Sequence, residues 1–229
     1  MNDHARTVGI VPAAGYASRL QPLQGSKEMI DVQGRPVVQF LLDGLRLGGC
    51  QEIRVVTRQE KRDLATYADA RGAKVVLART TSVSESLLAG MHDLADDDLV
   101  LAGFPDTLWE PVDAFSQLRS RLTAPTEIVL GLFQVDLTAA CDRVRLDQDG
   151  KVLGVDVKPP RPGSNLTWGC FAARVRALRG LDVPEPGLYF DSLCPGDRVV
   201  GLVLSNRYLD IGTHAGLGRL GSWFTHPRS

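Results

Sequence analysis

The sequence predicts an α/β protein: a mostly parallel sheet flanked by helices, with a small β-rich portion in the C-terminal half. Three observations carry that expectation. Short apolar runs alternate strictly with amphipathic segments through the first half. The first run, Val8 to Ala14, stops at Gly15 and opens into a loop of small residues. After about Asp136 the texture changes to short strands and turn-rich tetrapeptides. One compact unit over residues 1–229 is expected, with 1–135 as its core and 136–229 as an appended portion with a closing helix.

Taken in order, Thr7–Ala13 reads as a central strand because it is apolar on both faces. Pro36–Leu47 reads as a helix begun by Pro36 and ended by Gly48-Gly49. Glu52–Thr57 is the next strand and Glu60–Arg71 the next helix, stopped by Gly72. Ala73–Leu77 is a strand, and Val83–Leu94 a helix with Leu87, Leu88, Met91 and Leu94 on one side. Asp98–Gly103 follows as a strand, Trp109–Leu122 as a helix and Ile128–Phe133 as the last central strand. Arg143–Leu146 and Val152–Asp156 flank Asp147-Gln-Asp-Gly150 and read as a hairpin. Leu166–Ala172 and Val199–Leu204 are strands, Leu188–Leu193 a short helix and Ala215–Trp223 the closing one. Pro159, Pro160 and Pro162 mark an irregular loop within the unit.

Composition narrows the function classes. Apolar residues are 44% and charged residues 23%, an ordinary globular balance. A net charge of −1 gives no electrostatic case for nucleic acid or an anionic membrane as partner. Cys50, Cys141, Cys170 and Cys194 are scattered, which argues against a zinc site or disulfide framework and fits a reducing, cytoplasmic setting. No apolar run reaches membrane-spanning length, and Asp3, His4 and Arg6 precede too short an apolar stretch for a signal peptide.

The loop after Gly15 carries Arg19 and Lys27, two fixed cations suited to a polyphosphate. Two acids stand at strand ends: Asp106, just past Gly103, and Asp210 in Tyr208-Leu-Asp-Ile-Gly-Thr213. A lone aspartate there ordinarily caps a helix or forms a turn, and Thr213 is the better-placed cap for the last helix. Brought together, the two carboxylates repel unless a hard cation lies between them, and with phosphates nearby that cation is magnesium. Lys158 is either a solvated edge-strand lysine or a second anion site for a phosphorylated acceptor. In the second case Asn165, Trp168 and Gly169 line the pocket for the acceptor's body, although a single Trp commonly fills core.

These residues resemble the sugar nucleotidyltransferases, particularly glucose-1-phosphate thymidylyltransferases and their shorter relatives. The family's G-x-G-T-R-L-x-P and S/P-K-x-[LM] patterns match Gly15-Tyr-Ala-Ser-Arg19-Leu20-Gln-Pro22 and Ser26-Lys27-Glu-Met29. Its strand-terminal metal aspartate falls on Asp106, its E-K-P segment on Asp156-Val157-Lys158-Pro159, and its D-x-G-T motif on Asp210-Ile-Gly212-Thr213. Its S-N-x-x-x-x-G strand matches Ser164-Asn165 through Gly169, one residue short. The matches come in order over residues 8–217.

The resemblance implies a Rossmann-like nucleotide-binding core, a β-rich sugar-binding portion and Mg²⁺-dependent transfer of a nucleoside monophosphate from a nucleoside triphosphate (dTTP or UTP favoured) to a sugar 1-phosphate. It implies Arg19 at the leaving pyrophosphate, Lys27 at the reacting phosphates, Lys158 at the sugar phosphate, and Asp106 and Asp210 on magnesium. Gly15 lets backbone approach the nucleotide, and Ala13 and Ala14 keep that approach uncrowded. The family's second loop glycine is Ala17 here, its acidic sugar-binding residue is shifted to Asp156, and a glycine of its sugar pocket is Asp142. The base-reading segment lacks the usual glutamine and glycine, leaving Ser82, Ser84 and Glu85, of which Ser84 could instead cap the helix.

Two other functions remain open on the sequence. One is a cytidylyltransferase for a non-sugar acceptor such as phosphocholine or a phosphonate, with Trp168, Tyr189 and Tyr208 as the aromatic residues available to a choline. The other is a non-catalytic nucleotide-sugar sensor, against which stands the joint presence of Arg19, Lys27, Asp106, Lys158 and Asp210. The sequence leaves room for a homo-oligomer.

Overall fold

The computed structural model describes residues 5–137 and 140–225; Asp3 and His4, on which the expectation about the N-terminus draws, lie outside them. A seven-stranded sheet forms the centre, in the order β12-β8-β11-β6-β1-β4-β5. Its strands are β1 (Thr7–Pro12), β4 (Glu52–Thr57), β5 (Lys74–Leu77), β6 (Leu99–Gly103), β8 (Ile128–Gln134), β11 (Leu166–Arg174) and β12 (Val199–Ser205). Only β11 runs against the others, pairing antiparallel with both β6 and β8. The expected mostly parallel, Rossmann-like arrangement is therefore present.

Strand alternation builds a core on each face. Val8, Ile10, Val100 and Phe171 face one side, against Leu87 of α3 (Val83–Gly90) and Phe190 of α6 (Pro186–Leu193). Val11, Leu101, Val129 and Ala172 face the other. There they meet α1 (Val38–Leu47), α2 (Arg62–Ala70) and α4 (Ala114–Ser120), through Leu42, Leu64 and Phe115. Gly90 allows α3 to lie close to β1, since a Cβ there would come within 2.7 Å of Ile10 Cγ2. No helix among the described residues is long and apolar enough to cross a membrane.

Three small sheets decorate this frame. β2 (Asp31–Val32) pairs with β3 (Arg35–Pro36), so Pro36 belongs to a strand and the helix begins at Val38. β9 (Arg143–Leu146) and β10 (Val152–Asp156) form the expected hairpin. β7 (Thr107–Trp109) pairs antiparallel with β13 (Tyr208–Asp210). That pairing corrects the expected helix start at Trp109; Pro111 helps confine the helix to α4.

Two further expectations change. Ile128–Phe133 is not the last central strand, because β11 and β12 also join the sheet. β11 is buried along nearly its whole length, as a strand covered on both faces must be. The closing helix is divided into α7 (His214–Gly218) and α8 (Leu220–Thr225), and a four-residue turn of helix, α5 (Val175–Leu178), follows β11 directly.

Candidate active site

The loop leaving β1 is held from behind by two buried cations. Ala13 and Ala14 are 0% and 1% exposed. Their carbonyl oxygens accept from Lys61 Nζ at 2.7 Å and Arg58 Nε at 2.6 Å, so both residues anchor the loop and neither lines the cleft. Lys61 also donates to both oxygens of the fully buried Glu28, at 2.8 and 2.9 Å. Burial lifts the Glu28 carboxyl against the pull of Lys61, and burial also lowers the Lys61 ammonium. Asp63 accepts from the Ser26 N–H at 2.8 Å and its hydroxyl at 2.6 Å, fixing the residue before Lys27. Arg58 reaches the Thr80 carbonyl at 3.1 Å and lies 3.4 Å over the Tyr16 ring.

Pairing of β7 with β13 sets Asp210 opposite Thr107, and the Ile211 N–H donates to the Asp106 carbonyl at 3.0 Å. The two acids consequently converge. A Cβ at Gly212 would lie 2.2 Å from Asp106 Oδ2 and 2.9 Å from Asp210 Oδ1. Lys27 Nζ donates to Asp106 Oδ2 at 2.6 Å. Burial works against the Lys27 ammonium, but Asp106 outweighs it and the pKa is raised. Burial first, and then the Asp106 charge, raise the Asp210 carboxyl, opposed by the Gly212 N–H, Lys27 and Arg19. Among the described residues no three His, Cys, Asp or Glu side chains form a metal cage. Two converging carboxylates beside a loop that carries Arg19 and Lys27 nevertheless fit a hard divalent cation, which takes its remaining ligands from water and substrate oxygens.

A cleft of about 320 Å³ joins these groups. Arg19, Lys27 and Gly15 bound one end, Asp106 and Asp210 line its middle, and Lys158, Trp168 and Asp142 stand at the other. A Cβ at Gly15 would meet nothing within 4 Å, so the space beside that backbone is free for a ligand. A second recess of about 370 Å³, on the α3 side of Gly15, is lined by Ser82, Thr80 and Arg58.

The remaining expected residues divide. Lys158 lies on the cleft with φ +41°, its Nζ 2.7 Å from Glu185 Oε1. Trp168 is both packing and lining: it is 4% exposed, borders Phe104 and Phe190, and donates from Nε1 to Asp142 Oδ2 at 2.9 Å. Asp156 is a correction, because it points to Arg145 at 3.1 Å and does not line the cleft. Asn165 is exposed at the start of the β11 edge and lends its carbonyl to the Val135 N–H. Gly169 sits behind the cleft wall, where a Cβ would come within 2.6 Å of the Tyr208 ring. Ser82, not Ser84, caps α3, accepting from the Glu85 N–H at 3.1 Å, while Ser84 is buried away from both recesses. Thr213 caps α7 as expected, accepting from the Gly216 N–H at 3.1 Å.

Sequence reasoning missed Arg58, Lys61 and Glu185. Lys61 and Arg58 sit just beyond β4, where ligands to such sheets gather, yet nothing local distinguishes them from surface cations. Of the aromatic residues offered for a choline cage, Trp168 and Tyr208 line the cleft, whereas the Tyr189 hydroxyl is engaged by the Ala177 carbonyl.

Comparison with known proteins gives a family and a fold likeness. Residues 9–148 match the family model of the MobA-like NTP transferase domain. A glucose-1-phosphate thymidylyltransferase of Actinoplanes sp. is 31% identical over 166 residues, 68% of this chain and 54% of the relative. A UTP–glucose-1-phosphate uridylyltransferase of Pseudomonas aeruginosa is 32% identical over 90 residues, 38% of this chain and 32% of the relative. The matches thus span from about a third to about half of those curated relatives' length. In fold, a protein described as a glucose-1-phosphate thymidylyltransferase from Bacillus anthracis, crystallised with sucrose, superposes with a TM-score of 0.83 at 16% identity over 97% of both chains. A UDP-glucose pyrophosphorylase in complex with UDP-glucose superposes at 0.80 with 16% identity, over 97% of this chain and 99% of the other.

Proposed function

Since the chain belongs to the MobA-like NTP transferase domain family, we propose that it joins a nucleoside triphosphate to a sugar 1-phosphate, forming an NDP-sugar and releasing pyrophosphate. The observation that carries this reading is the single cleft in which Arg19 and Lys27 face Asp106 and Asp210, with Lys158 and Trp168 beyond them. A phosphate oxygen of the acceptor attacks the α-phosphorus of the nucleotide. The new bond joins that oxygen to phosphorus, and the bond to the bridging oxygen of pyrophosphate breaks. No covalent enzyme intermediate is needed, so catalysis rests on alignment and charge neutralisation.

Each group has work in that scheme. Lys27, kept protonated by Asp106, holds the phosphates at the reacting centre, and Arg19 steadies the departing pyrophosphate. Lys158 exchanges Glu185 for the acceptor's phosphate. Gly15 offers its backbone N–H to the nucleotide, whose base enters the recess bordered by Ser82 and Thr80. Asp106 and Asp210 would hold magnesium, which when bound offsets the charge that builds on the phosphates.

The test is pyrophosphate release with Mg²⁺ across a grid of nucleoside triphosphates and phosphorylated acceptors: sugar 1-phosphates, phosphocholine and phosphonates. Turnover confined to sugar 1-phosphates, with dTTP or UTP best, is expected. Turnover with CTP and phosphocholine alone would transfer the reading to a non-sugar cytidylyltransferase, and nucleotide binding without any turnover would favour a sensor.

A further inference from the structure

The acceptor end of the cleft carries an acid that its surroundings do not neutralise. Asp142 is half-buried and lines the cleft. Its Oδ2 is pinned by Trp168 Nε1 at 2.9 Å, and a Cβ at Gly187 would lie only 2.6 Å from that oxygen. The backbone N–H of Lys158 also donates towards the carboxylate. A carboxylate offers about four lone-pair positions, so these two donors leave acceptor capacity unspent. Among the described residues no cationic side chain forms an ion pair with it; the nearby Lys158 ammonium, whose charge is felt by Asp142, pairs instead with Glu185 at 2.7 Å. Asp142, Glu185 and Lys158 together therefore bring a net negative charge to this end.

Resting on the nucleotidyltransferase reading, we propose that Asp142 is a specificity-determining residue that selects an acceptor bearing a protonated amine two carbons from its phosphate ester oxygen. A desolvated carboxylate held in one orientation without a counterion is costly, and an ammonium supplies the missing charge, whereas a hydroxyl supplies only a hydrogen bond. Trp168 and Tyr208 also line the cleft, and aromatic rings favour a cation over a neutral group. Burial raises the Asp142 carboxyl, the direction expected of an acid lacking its partner. A zwitterionic phosphomonoester thus meets Lys158 with its phosphate and Asp142 with its neighbouring amine: an amino-sugar 1-phosphate, or a small amino-alcohol phosphate.

The experiment compares transfer from dTTP, UTP and CTP, with Mg²⁺ at pH 7.5, to glucosamine 1-phosphate, glucose 1-phosphate and phosphoethanolamine, using wild type and Asp142→Asn. One aminated acceptor should exceed glucose 1-phosphate by about tenfold or more in kcat/KM, through KM. In the isosteric variant that preference should collapse while the nucleotide KM holds. Glucosamine 1-phosphate as the better substrate identifies the amino sugar as the source. Phosphoethanolamine as the better one keeps the role of Asp142 and overturns the sugar acceptor. Glucose 1-phosphate equal or superior in wild type, or a preference unchanged in the variant, overturns the inference and leaves the nucleotidyltransferase reading standing. No transfer to any of the three overturns both.

Discussion

In the proposed reaction the chemistry turns on Lys27 and Asp106, 2.6 Å apart. Asp106→Asn keeps the shape but removes the charge, and kcat is expected to fall about a thousandfold or more with Tm within a few degrees of wild type. Near-normal turnover at saturating Mg²⁺ would exclude Asp106 as a metal ligand. Lys61 lies one layer behind. Lys61→Met strands the buried Glu28 carboxylate, so urea denaturation should show a loss of about 3–5 kcal/mol. At this scale the sequence was most legible where a residue's surroundings are local: Arg19, Lys27 and Asp106 all border the cleft. It was least legible where they are distant. Asp156 and Asn165 sit beside the right motifs, but the register of the β9–β10 hairpin turns Asp156 to Arg145, and Asn165 is left on the exposed rim of β11.

Elements bring these residues together through pairings that no local pattern announces. β7 and β13 are three residues each and about a hundred positions apart, yet their ladder is what sets Asp210 beside Asp106. Gly212 lies just beyond that ladder, where a Cβ would meet both acids, so Gly212→Ala should displace a carboxylate and lower kcat about a hundredfold with little loss of stability. Comparable kinetics in the alanine variant would mean that the acids tolerate separation. At the other end of the sheet, Asp98 accepts from the Arg6 and Ala95 N–H groups and from the Arg6 guanidinium, tying the starts of β1 and β6. Burial opposes these donors, yet they win and hold its pKa low. Its stabilisation is therefore complete above the unfolded carboxyl range and is lost as pH falls through the folded value. Asp98→Asn should cost about 2 kcal/mol at pH 7, and the gap should narrow below about pH 4 in denaturation measured against pH.

Across the whole molecule, strict strand–helix alternation made the parallel sheet readable, because each amphipathic helix declares a face that only a sheet can cover. The position of β11 was not readable: an apolar run says that a strand is buried on both faces, but not between which neighbours. The same packing governs the thiols. Burial pushes Cys50 up to about 12 and Cys194 to about 11, and raises Cys141 and Cys170 as well. At pH 8 iodoacetamide should therefore label the folded protein much more slowly than the unfolded chain, as followed by mass spectrometry. Cys141, on the cleft wall, should be shielded further by nucleotide and acceptor together.

One cleft transferring a nucleotidyl group is the central claim, and radiolabelled nucleotide tests it most directly. With α-³²P- or γ-³²P-labelled dTTP or UTP, Mg²⁺ and a sugar 1-phosphate, the α label should leave with the acceptor as an NDP-sugar and the γ label should appear in pyrophosphate. Release of γ label as orthophosphate, or an α label that never joins any phosphorylated acceptor, would contradict the account.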